Sequence, residues 1–418
     1  MASLLSSSST PVIRSPVDGG AIIVNCITSS SPNSHQFNLS LKPEHCLEGK
    51  GFFKQWFYFE VQNVAVGSEL EFSIIDAGES TFPDWRNYNV CMSIDRKSWN
   101  RVSTEFKDGV LIWKVTASSN LISFSYFPPY SREKQVNLVH ATTQTNHCTH
   151  VVLGLSEDGR DLNALVFDKH LDASLPSYYV VWIQHRQHPG ETSASWFCEG
   201  VIERLLEMSE KPSSLLKSSI VVVVPNVNPD GGVRGHLRTN AKGANLNRCW
   251  GTMHGITAAG QTEPKAVEVE AMVKGMNALG GVDVMLDIHQ DEEKEYVFIS
   301  KSPLGCESAT PELRAVRTKF EKILQKRSPD FLTPGPIDPV GYPEPPPGGA
   351  NLNICSASVA QKFPGCLSMT MEHPYKGNAN RGAPWDEGFT TKQCRDLGVE
   401  TVNAVEDILP DLIRKHNR

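Results

Sequence analysis

Residues 178–208 read YYVVWIQHRQHPGETSASWFCEGVIERLLEM and combine two patterns that together indicate the fold. The first part, Tyr178–Gln184, is an apolar run of strand length, which is typical of a strand buried on both faces. The second part, Thr192–Met208, spaces its apolar residues as an amphipathic helix does. A buried strand that leads directly into a helix is the repeating unit of α/β proteins.

The same alternation of strands and helices continues towards the carboxyl terminus. Further strands are predicted at Ile220–Pro225, Val282–Ile288 and Leu367–Met371, and further helices at Glu263–Leu279, Pro311–Arg327 and Cys394–His416. This rhythm predicts an α/β domain over residues 148–418, with a mixed, mostly parallel sheet flanked by helices.

The amino-terminal third has a different pattern, without helical periodicity. Short apolar or alternating runs occur at Ala21–Ile27, Phe37–Leu41, Trp56–Val61, Leu70–Ile75, Tyr88–Ile94, Val110–Val115 and Leu121–Phe127. Their spacing predicts an antiparallel β-sandwich over residues 21–140. Pro128-Pro129 opens a polar stretch that is a candidate junction, and the Ser-rich residues 1–20 are predicted to be flexible.

The composition argues against a role in binding nucleic acid or spanning a membrane. The 40 Lys and Arg against 47 Asp and Glu give a net charge of −7, whereas nucleic-acid binders usually carry a basic bias. No apolar run approaches the ~18 residues of a membrane-spanning helix. The ten cysteines are scattered without a C-x-x-C pair, which predicts free thiols and a cytoplasmic location.

Two segments that follow predicted strands carry candidate metal ligands. His188 and Glu191 lie between the strand Tyr178–Gln184 and the next helix, and His289 ends a later strand. Two histidines and one carboxylate are a donor set for catalytic zinc, with Asp287 available to orient a ligand. The spacing of His188 and Glu191 alone favours the simpler interpretation of a strand-end histidine beside a helix-start carboxylate that favours the helix dipole.

Two further groups are predicted at the same edge of the sheet. Arg238, Asn247 and Arg248 follow the strand Ile220–Pro225, and Glu372 ends a late apolar strand. Guanidinium groups suit planar anions such as carboxylates. Because ligands bind beyond the carboxyl ends of strands in open α/β sheets, the convergence predicts one site at this edge.

These motifs resemble, in their order along the chain, those of the zinc carboxypeptidases of the carboxypeptidase A superfamily. The matching residues are His188-Pro189-Gly190-Glu191, Asn228-Pro229-Asp230-Gly231, Arg238, Asn247-Arg248, His289 and Glu372. The segments at residues 55–59 (QWFYF) and 124–130 (FSYFPPY) are similar to the cytosolic carboxypeptidase branch, in which a β-sandwich precedes the catalytic domain.

The resemblance implies zinc as cofactor and a role for each residue. His188, Glu191 and His289 would bind the metal, Glu372 would act as general base, Arg238 would stabilise the oxyanion, and Asn247 and Arg248 would bind the terminal carboxylate of the substrate. Such an enzyme is a metallocarboxypeptidase that removes carboxyl-terminal residues from peptides or protein tails.

Some residues depart from the family pattern. Relatives that remove glutamate often carry an arginine at the place where residues 356–358 here read SAS, so a preference for glutamate is not expected. Arg186, Lys362 and Lys376 are the other candidates for positive charge in the substrate pocket. Tyr342 is the tyrosine nearest to the place of a family tyrosine but stands a few residues too early, and it receives no role.

Two alternatives to a peptidase stay open from the sequence. A zinc amidohydrolase of aspartoacylase type, acting on small N-acyl amino acids, would share the ligands and the base. A binding module that has kept the fold without catalysis would be indicated by the loss of a ligand or of the base, and all of these residues are present. The sequence does not predict the oligomeric state.

Overall fold

The computed structural model describes residues 10–45, 52–255, 266–332, 341–377, 387–414 and 416–417. The predicted flexible start of the chain, residues 1–20, lies partly outside this range. Within it, the first strand, β1 (Val12–Arg14), pairs with a strand of the amino-terminal region, so ordered structure begins before residue 21.

The amino-terminal region consists of two five-stranded sheets and one two-stranded sheet. After β1, its strands are β2 (Ile23–Ser31), β3 (Ser34–Ser40), β4 (Glu44–His45), β5 (Phe52–Phe53), β6 (Tyr58–Gln62), β7 (Glu69–Ile74), β8 (Val90–Ser93), β9 (Asn100–Val102), β10 (Glu105–Lys107), β11 (Val110–Thr116) and β12 (Leu121–Ser125). The sheets have the orders β1-β6-β12-β8-β9, β10-β11-β7-β3-β2 and β4-β5. The pairing is antiparallel except between β3 and β7, which are parallel.

Aromatic side chains hold the two larger sheets face to face. Phe72 of β7 lies 4.7 Å from Phe124 of β12 and 6.0 Å from Phe59 of β6, measured between ring centroids. Trp113 of β11 stacks on Phe72 at 5.1 Å. The inward-facing residues of both sheets are fully buried, which is the arrangement of a β-sandwich.

An eight-stranded mixed sheet forms the rest of the fold. Its strands are β13 (Thr149–Leu155), β14 (Asp161–Phe167), β15 (Ser177–His185), β16 (Ser219–Val224), β17 (Val284–Asp291), β18 (Phe298–Ile299), β19 (Leu367–Pro374) and β20 (His416–Asn417). The order is β13-β14-β16-β15-β17-β19-β18, with β20 on β15. The central strands β16, β15, β17 and β19 are mutually parallel.

Helices pack against this sheet and connect its strands. They are α1 (Arg132–Gln144), α2 (Ser193–Glu210), α3 (Ser214–Ser218), α4 (Pro229–Arg234), α5 (Val267–Ala278), α6 (Pro311–Arg327), α7 (Cys355–Lys362) and α8 (Thr391–Ile408). Among the described helices, none is both long and apolar enough to cross a membrane.

The predicted fold class is confirmed: sheets of mostly antiparallel strands precede a mixed sheet with helices on it. Two details differ from the sequence analysis. The candidate junction contains helix α1, which begins at Arg132 under a cap from Ser131. Helix α8 ends at Ile408 rather than His416, because Pro410 cannot donate a helical hydrogen bond.

The sandwich contacts the region of the mixed sheet where the parallel strands end. Tyr126, just after β12, stacks on Tyr375, just after β19, at 4.5 Å between ring centroids. Arg101 of β9 donates to the carbonyl oxygen of Tyr375 at 2.8 Å. The two parts therefore meet beside the edge at which the candidate site is predicted.

Candidate metal centre and active site

The carboxyl ends of β15 and β17 bring the three predicted metal ligands together. His188 lies three residues beyond β15, Glu191 lies just before α2, and His289 belongs to β17. These residues are 1–3% exposed, and their donor atoms all lie within 4.8 Å of one another. The Nδ1 atoms of His188 and His289 are 3.2 Å apart, and each lies within 2.9 Å of the Glu191 carboxylate.

The outer nitrogens of both histidines are held by other side chains. His188 donates from Nε2 to Asn245 Oδ1 at 3.0 Å, and His289 donates from Nε2 to Asp287 Oδ2 at 2.9 Å. Both rings are thereby turned so that Nδ1 faces the shared centre, which is the orientation that metal-ligating histidines require. Two imidazole nitrogens and a carboxylate that converge in this way fit zinc.

The charges around the ligands also suit a cation. Burial, together with the Arg238 guanidinium, lowers the pKa of His188 to about 4, so this imidazole is neutral at pH 7 and able to coordinate a metal. Burial lowers the pKa of His289 as well, but the neighbouring carboxylates Asp287 and Glu191 outweigh it and raise the value. A bound dication competes with a proton for the His289 imidazole nitrogen, so metal binding is expected to release that proton.

The sharp turn after β15 depends on a close backbone approach at Gly190. A Cβ atom on Gly190 would lie 2.8 Å from the Cα atom of Leu237, which is too close for any other residue. The Gly190 N–H donates to the Leu237 carbonyl oxygen at 2.8 Å. The turn that carries His188 and Glu191 is therefore fixed against the loop that carries Arg238.

The Asn228-Pro229-Asp230-Gly231 motif supports this loop rather than the cavity itself. Asn228 caps α4 by accepting the Gly231 N–H at 3.1 Å and donates to the Gln187 carbonyl oxygen at 3.0 Å. Asp230 is fully buried and accepts hydrogen bonds from Ser156 and Arg160. The short helix α4 follows from its Asn cap and from Pro229 in its first turn.

One cavity of about 220 Å³ is lined by all seven residues predicted to bind the metal, act in catalysis or bind the substrate's terminal carboxylate. Its lining includes His188, Glu191, Arg238, Asn247, Arg248, His289 and Glu372. Asn247 is fixed by the Cys355 N–H, which donates to its side-chain oxygen at 2.8 Å. Three loops and the strands β17 and β19 thus place their metal-binding, cationic and acidic side chains around this one cavity.

Glu372 is paired in register with His289, on the adjacent parallel strand. Burial raises the pKa of its carboxyl to about 8, with a smaller rise from Glu191 and Asp291 and an opposing effect of His289. A dication bound by the three ligands acts in the opposite direction, because a positive charge favours the ionised carboxylate. The side chain can therefore exist in either protonation state near neutral pH, as a proton-transfer group must.

Several residues of the cavity were missed by the sequence analysis. Tyr342, which had received no role, lines the cavity and donates its hydroxyl to Asp291. Phe82 reaches the cavity from the sandwich, and Glu292 is buried in its wall. No local pattern distinguishes these residues from ordinary loop or core positions.

The three candidates for extra positive charge do not line this cavity. Arg186 is buried behind the turn, where it donates to Ser195 Oγ at 3.0 Å and to the Pro189 carbonyl oxygen. Among the described residues that line the cavity, the cationic side chains are Arg238 and Arg248.

Comparison with known proteins agrees with this geometry. Residues 13–127 match the family model described as cytosolic carboxypeptidase N-terminal domain, and residues 137–328 match the model described as zinc carboxypeptidase. A crystal structure of a putative carboxypeptidase A from Shewanella denitrificans is 34% identical, with a TM-score of 0.84 over 96% of this chain and 100% of that one. The chain belongs to the zinc carboxypeptidase family. It is a zinc-dependent metallocarboxypeptidase with an amino-terminal domain of the cytosolic carboxypeptidase type.

Other members of the zinc carboxypeptidase family are similar over different lengths. A metallo-carboxypeptidase from Pseudomonas aeruginosa, solved in complex with (2-guanidinoethylmercapto)succinic acid, is 31% identical, with a TM-score of 0.83 over 96% of this chain and 100% of that one. Cytosolic carboxypeptidase 1 of Danio rerio is 24% identical over 61% of this chain. The chain spans only 25% of the length of that zebrafish protein.

Proposed function

We propose that this carboxypeptidase removes single carboxyl-terminal residues from peptides or protein tails, with Glu372 as general base. The observation that supports the proposal is the meeting of the His188, Glu191 and His289 donors with a carboxyl group and two arginines in one cavity. Zinc held by the three donors would supply Lewis-acid polarisation of the scissile carbonyl and acidify a coordinated water.

The chain's own residues then divide the remaining tasks. Arg248 and Asn247 bind the terminal carboxylate of the substrate, which restricts cleavage to the last peptide bond. Arg238 faces the scissile carbonyl and stabilises the negative charge that develops on its oxygen. Glu372 accepts a proton from the attacking water as the new C–O bond forms, and it passes that proton to the leaving amine as the C–N bond breaks.

A comparison of matched peptides tests this assignment. The purified enzyme with zinc should release single residues from peptides ending in Phe, Ala, Lys or Glu, and should leave the carboxyl-amidated versions intact. Glu372→Gln should lower kcat by at least about a hundredfold while the zinc content stays at one per chain, because general base catalysis contributes on the order of 10²–10⁴. A chelator should abolish release from every peptide.

Two outcomes would contradict the proposal in different ways. Equal cleavage of amidated peptides would remove the role of Arg248 and Asn247, and full activity of Glu372→Gln would remove the role of the base. Hydrolysis of N-acyl amino acids in place of peptides would instead favour an amidohydrolase of aspartoacylase type.

We also propose that the enzyme acts in the cytosol. Its relatives include proteins named cytosolic carboxypeptidases, and the nine cysteines within the described residues are free thiols. Fractionation of cells that express the chain should recover it with cytosolic markers, and recovery with secreted or organellar markers would contradict this location.

A further inference from the structure

Two short strands of the amino-terminal region lie against the loop that carries Arg238. These strands, β4 and β5, pair with each other and place Glu44 opposite Phe53. The Glu44 carboxyl oxygen Oε1 accepts the backbone N–H groups of Arg238 at 2.8 Å and Thr239 at 3.1 Å. The Thr239 hydroxyl donates to the carbonyl oxygen of His45 at 3.0 Å, so three hydrogen bonds join the two segments.

The contact is tight as well as polar. Glu44 is 5% exposed, although it is a carboxylic acid. A Cβ atom on Gly243, further along the same loop, would lie 2.4 Å from the His45 ring. The Phe53 ring centroid lies 5.8 Å from the Arg238 guanidinium carbon. The backbone and the side chain of Arg238 therefore both contact strands from far earlier in the chain, with Glu44 lying 194 residues before Arg238.

The Arg238 loop is held between this contact and the metal centre. On one side, the Leu237 carbonyl oxygen accepts the Gly190 N–H from the turn that carries His188 and Glu191. On the other side, the next two N–H groups bond to Glu44. Two adjacent peptide groups pinned from opposite sides determine where the Arg238 side chain leaves the backbone.

We propose that Glu44 is a positioning residue that aims Arg238 at the scissile carbonyl, so that the amino-terminal sandwich completes the active site. The inference rests on the role of Arg238 in the proposed function. It extends that function by assigning a catalytic task to a part of the chain that carries no metal ligand.

The task requires an acceptor oxygen rather than a negative charge. Burial raises the pKa of Glu44 to about 8, which outweighs the opposite effect of its backbone hydrogen bonds, so the carboxyl is mostly neutral at pH 7. A glutamine keeps an oxygen acceptor at the same distance from the backbone. A methionine fills a similar volume and leaves the Arg238 and Thr239 N–H groups without a partner, which is costly in a buried place.

Kinetics of the zinc-loaded enzyme separate these cases. Glu44→Met should lower kcat about tenfold with KM within about twofold, because a misplaced oxyanion donor weakens an interaction made only in the transition state. Glu44→Gln should stay within about twofold of the wild-type kcat. In an Arg238→Ala background, Glu44→Met should cause no further loss, because the group that it positions is already gone.

A matched control comes from a second carboxylate on the same side of the boundary. Asp18 accepts the Arg132 N–H at 2.6 Å, across the contact between the amino-terminal region and α1. Asp18→Leu, which removes this acceptor as Glu44→Met removes its own, should lower stability without changing kcat. The positioning role is overturned if Glu44→Met keeps the wild-type kcat, if Glu44→Gln is as impaired as Glu44→Met, or if Glu44→Met costs as much in the Arg238→Ala background.

Hydrogen–deuterium exchange tests the contact without relying on activity. Peptides that cover residues 236–240 should exchange faster in Glu44→Met than in the wild type, and at the wild-type rate in Glu44→Gln and Asp18→Leu. Unchanged exchange in Glu44→Met overturns the inference even in an active enzyme. An inactive wild-type chain with the expected exchange pattern would instead count against the proposed function and leave the contact established.

Discussion

Asp287 connects the mixed sheet to the metal centre through one side chain. Its Oδ2 atom accepts His289 Nε2 at 2.9 Å, and its Oδ1 atom accepts the Gln184 side-chain amide at 3.1 Å. Asp287→Asn should weaken zinc affinity about 10- to 100-fold, because such carboxylates orient the ring and raise its basicity. Chelator competition measures this. Asp283→Asn, at an equally buried aspartate just before β17, should leave the affinity unchanged, and an equal loss there would contradict the assignment.

The charges of the cavity wall predict the residue that is released. Among the described residues, the cationic side chains that line the cavity, Arg238 and Arg248, are both engaged with the backbone groups of the substrate in the proposed function. A carboxylate on the side chain of the last substrate residue is then left without a cationic partner from this lining, which is costly for a desolvated charge. Peptides that end in Gln should therefore be cleaved with a kcat/KM at least about fivefold above that of matched peptides ending in Glu. Faster release of glutamate would contradict this charge balance.

At the level of single residues, position along the chain indicated which side chains would meet in one cavity better than side-chain type did. His188, His289 and Glu372 stood out because each follows an apolar strand, and the strands proved to be parallel neighbours. Tyr342 could not be found in this way, since it lies in a loop whose path depends on tertiary contacts. Glu44 carries no local signal at all, because its partner is 194 residues away.

Helices α2 and α8 touch backbone to backbone behind the site. A Cβ atom on Gly200 would lie 2.0 Å from the Arg395 carbonyl oxygen, and one on Gly398 would lie 2.3 Å from the Phe197 carbonyl oxygen. Gly398→Ala should therefore lower the free energy of unfolding by about 1–3 kcal/mol, although alanine is the better helix former. Urea titration measures this, with the exposed Asp396→Ala expected within about 0.5 kcal/mol of wild type. A gain in stability from Gly398→Ala would refute the close contact.

Elements with a strong pattern were predicted, and elements made of small or half-exposed residues were not. The runs within β15, β16, β17 and β19 are mostly apolar, and helix α6 has the predicted limits Pro311–Arg327. Helix α7 has eight residues, CSASVAQK, whose small side chains give little amphipathic pattern. The hairpin β13–β14 was not predicted, although residues 151–155 of β13 read VVLGL; β13 is an edge strand and is largely exposed.

At the scale of the whole molecule, the amino-terminal region lies beside the metal centre, although none of the three predicted zinc ligands belongs to it. Phe82 and Glu44 come from the amino-terminal region and reach the cavity or the Arg238 loop. Alternation and turn spacing predicted that a sandwich precedes the catalytic sheet. The contribution of the sandwich to the site could not be predicted. Contacts between two domains leave no periodic pattern in the sequence of either domain.

Acid stability depends on a histidine in the core of the mixed sheet. His185 is fully buried and donates from Nδ1 to the Val224 carbonyl oxygen at 2.8 Å, and burial lowers its pKa to about 4. The unfolded chain binds a proton below its ordinary pKa of about 6.5, whereas the folded chain does so only below about 4. The stability that this group contributes is thus present above pH 6.5 and falls by about 3 kcal/mol as the pH drops to 4.

A comparison of variants separates the contribution of His185 from those of groups with the opposite dependence of stability on pH. Glu44 is such a group, because its raised pKa adds stability as the pH falls from 8 to 4.5. His185→Asn keeps a donor towards Val224 and cannot take up a proton in this range. Its free energy of unfolding, measured with chelator present, should fall less steeply than that of the wild type between pH 6.5 and 4. His140→Asn, at an exposed histidine, should follow the wild-type slope. Parallel curves for His185→Asn and the wild type would show that the buried imidazole does not govern acid unfolding.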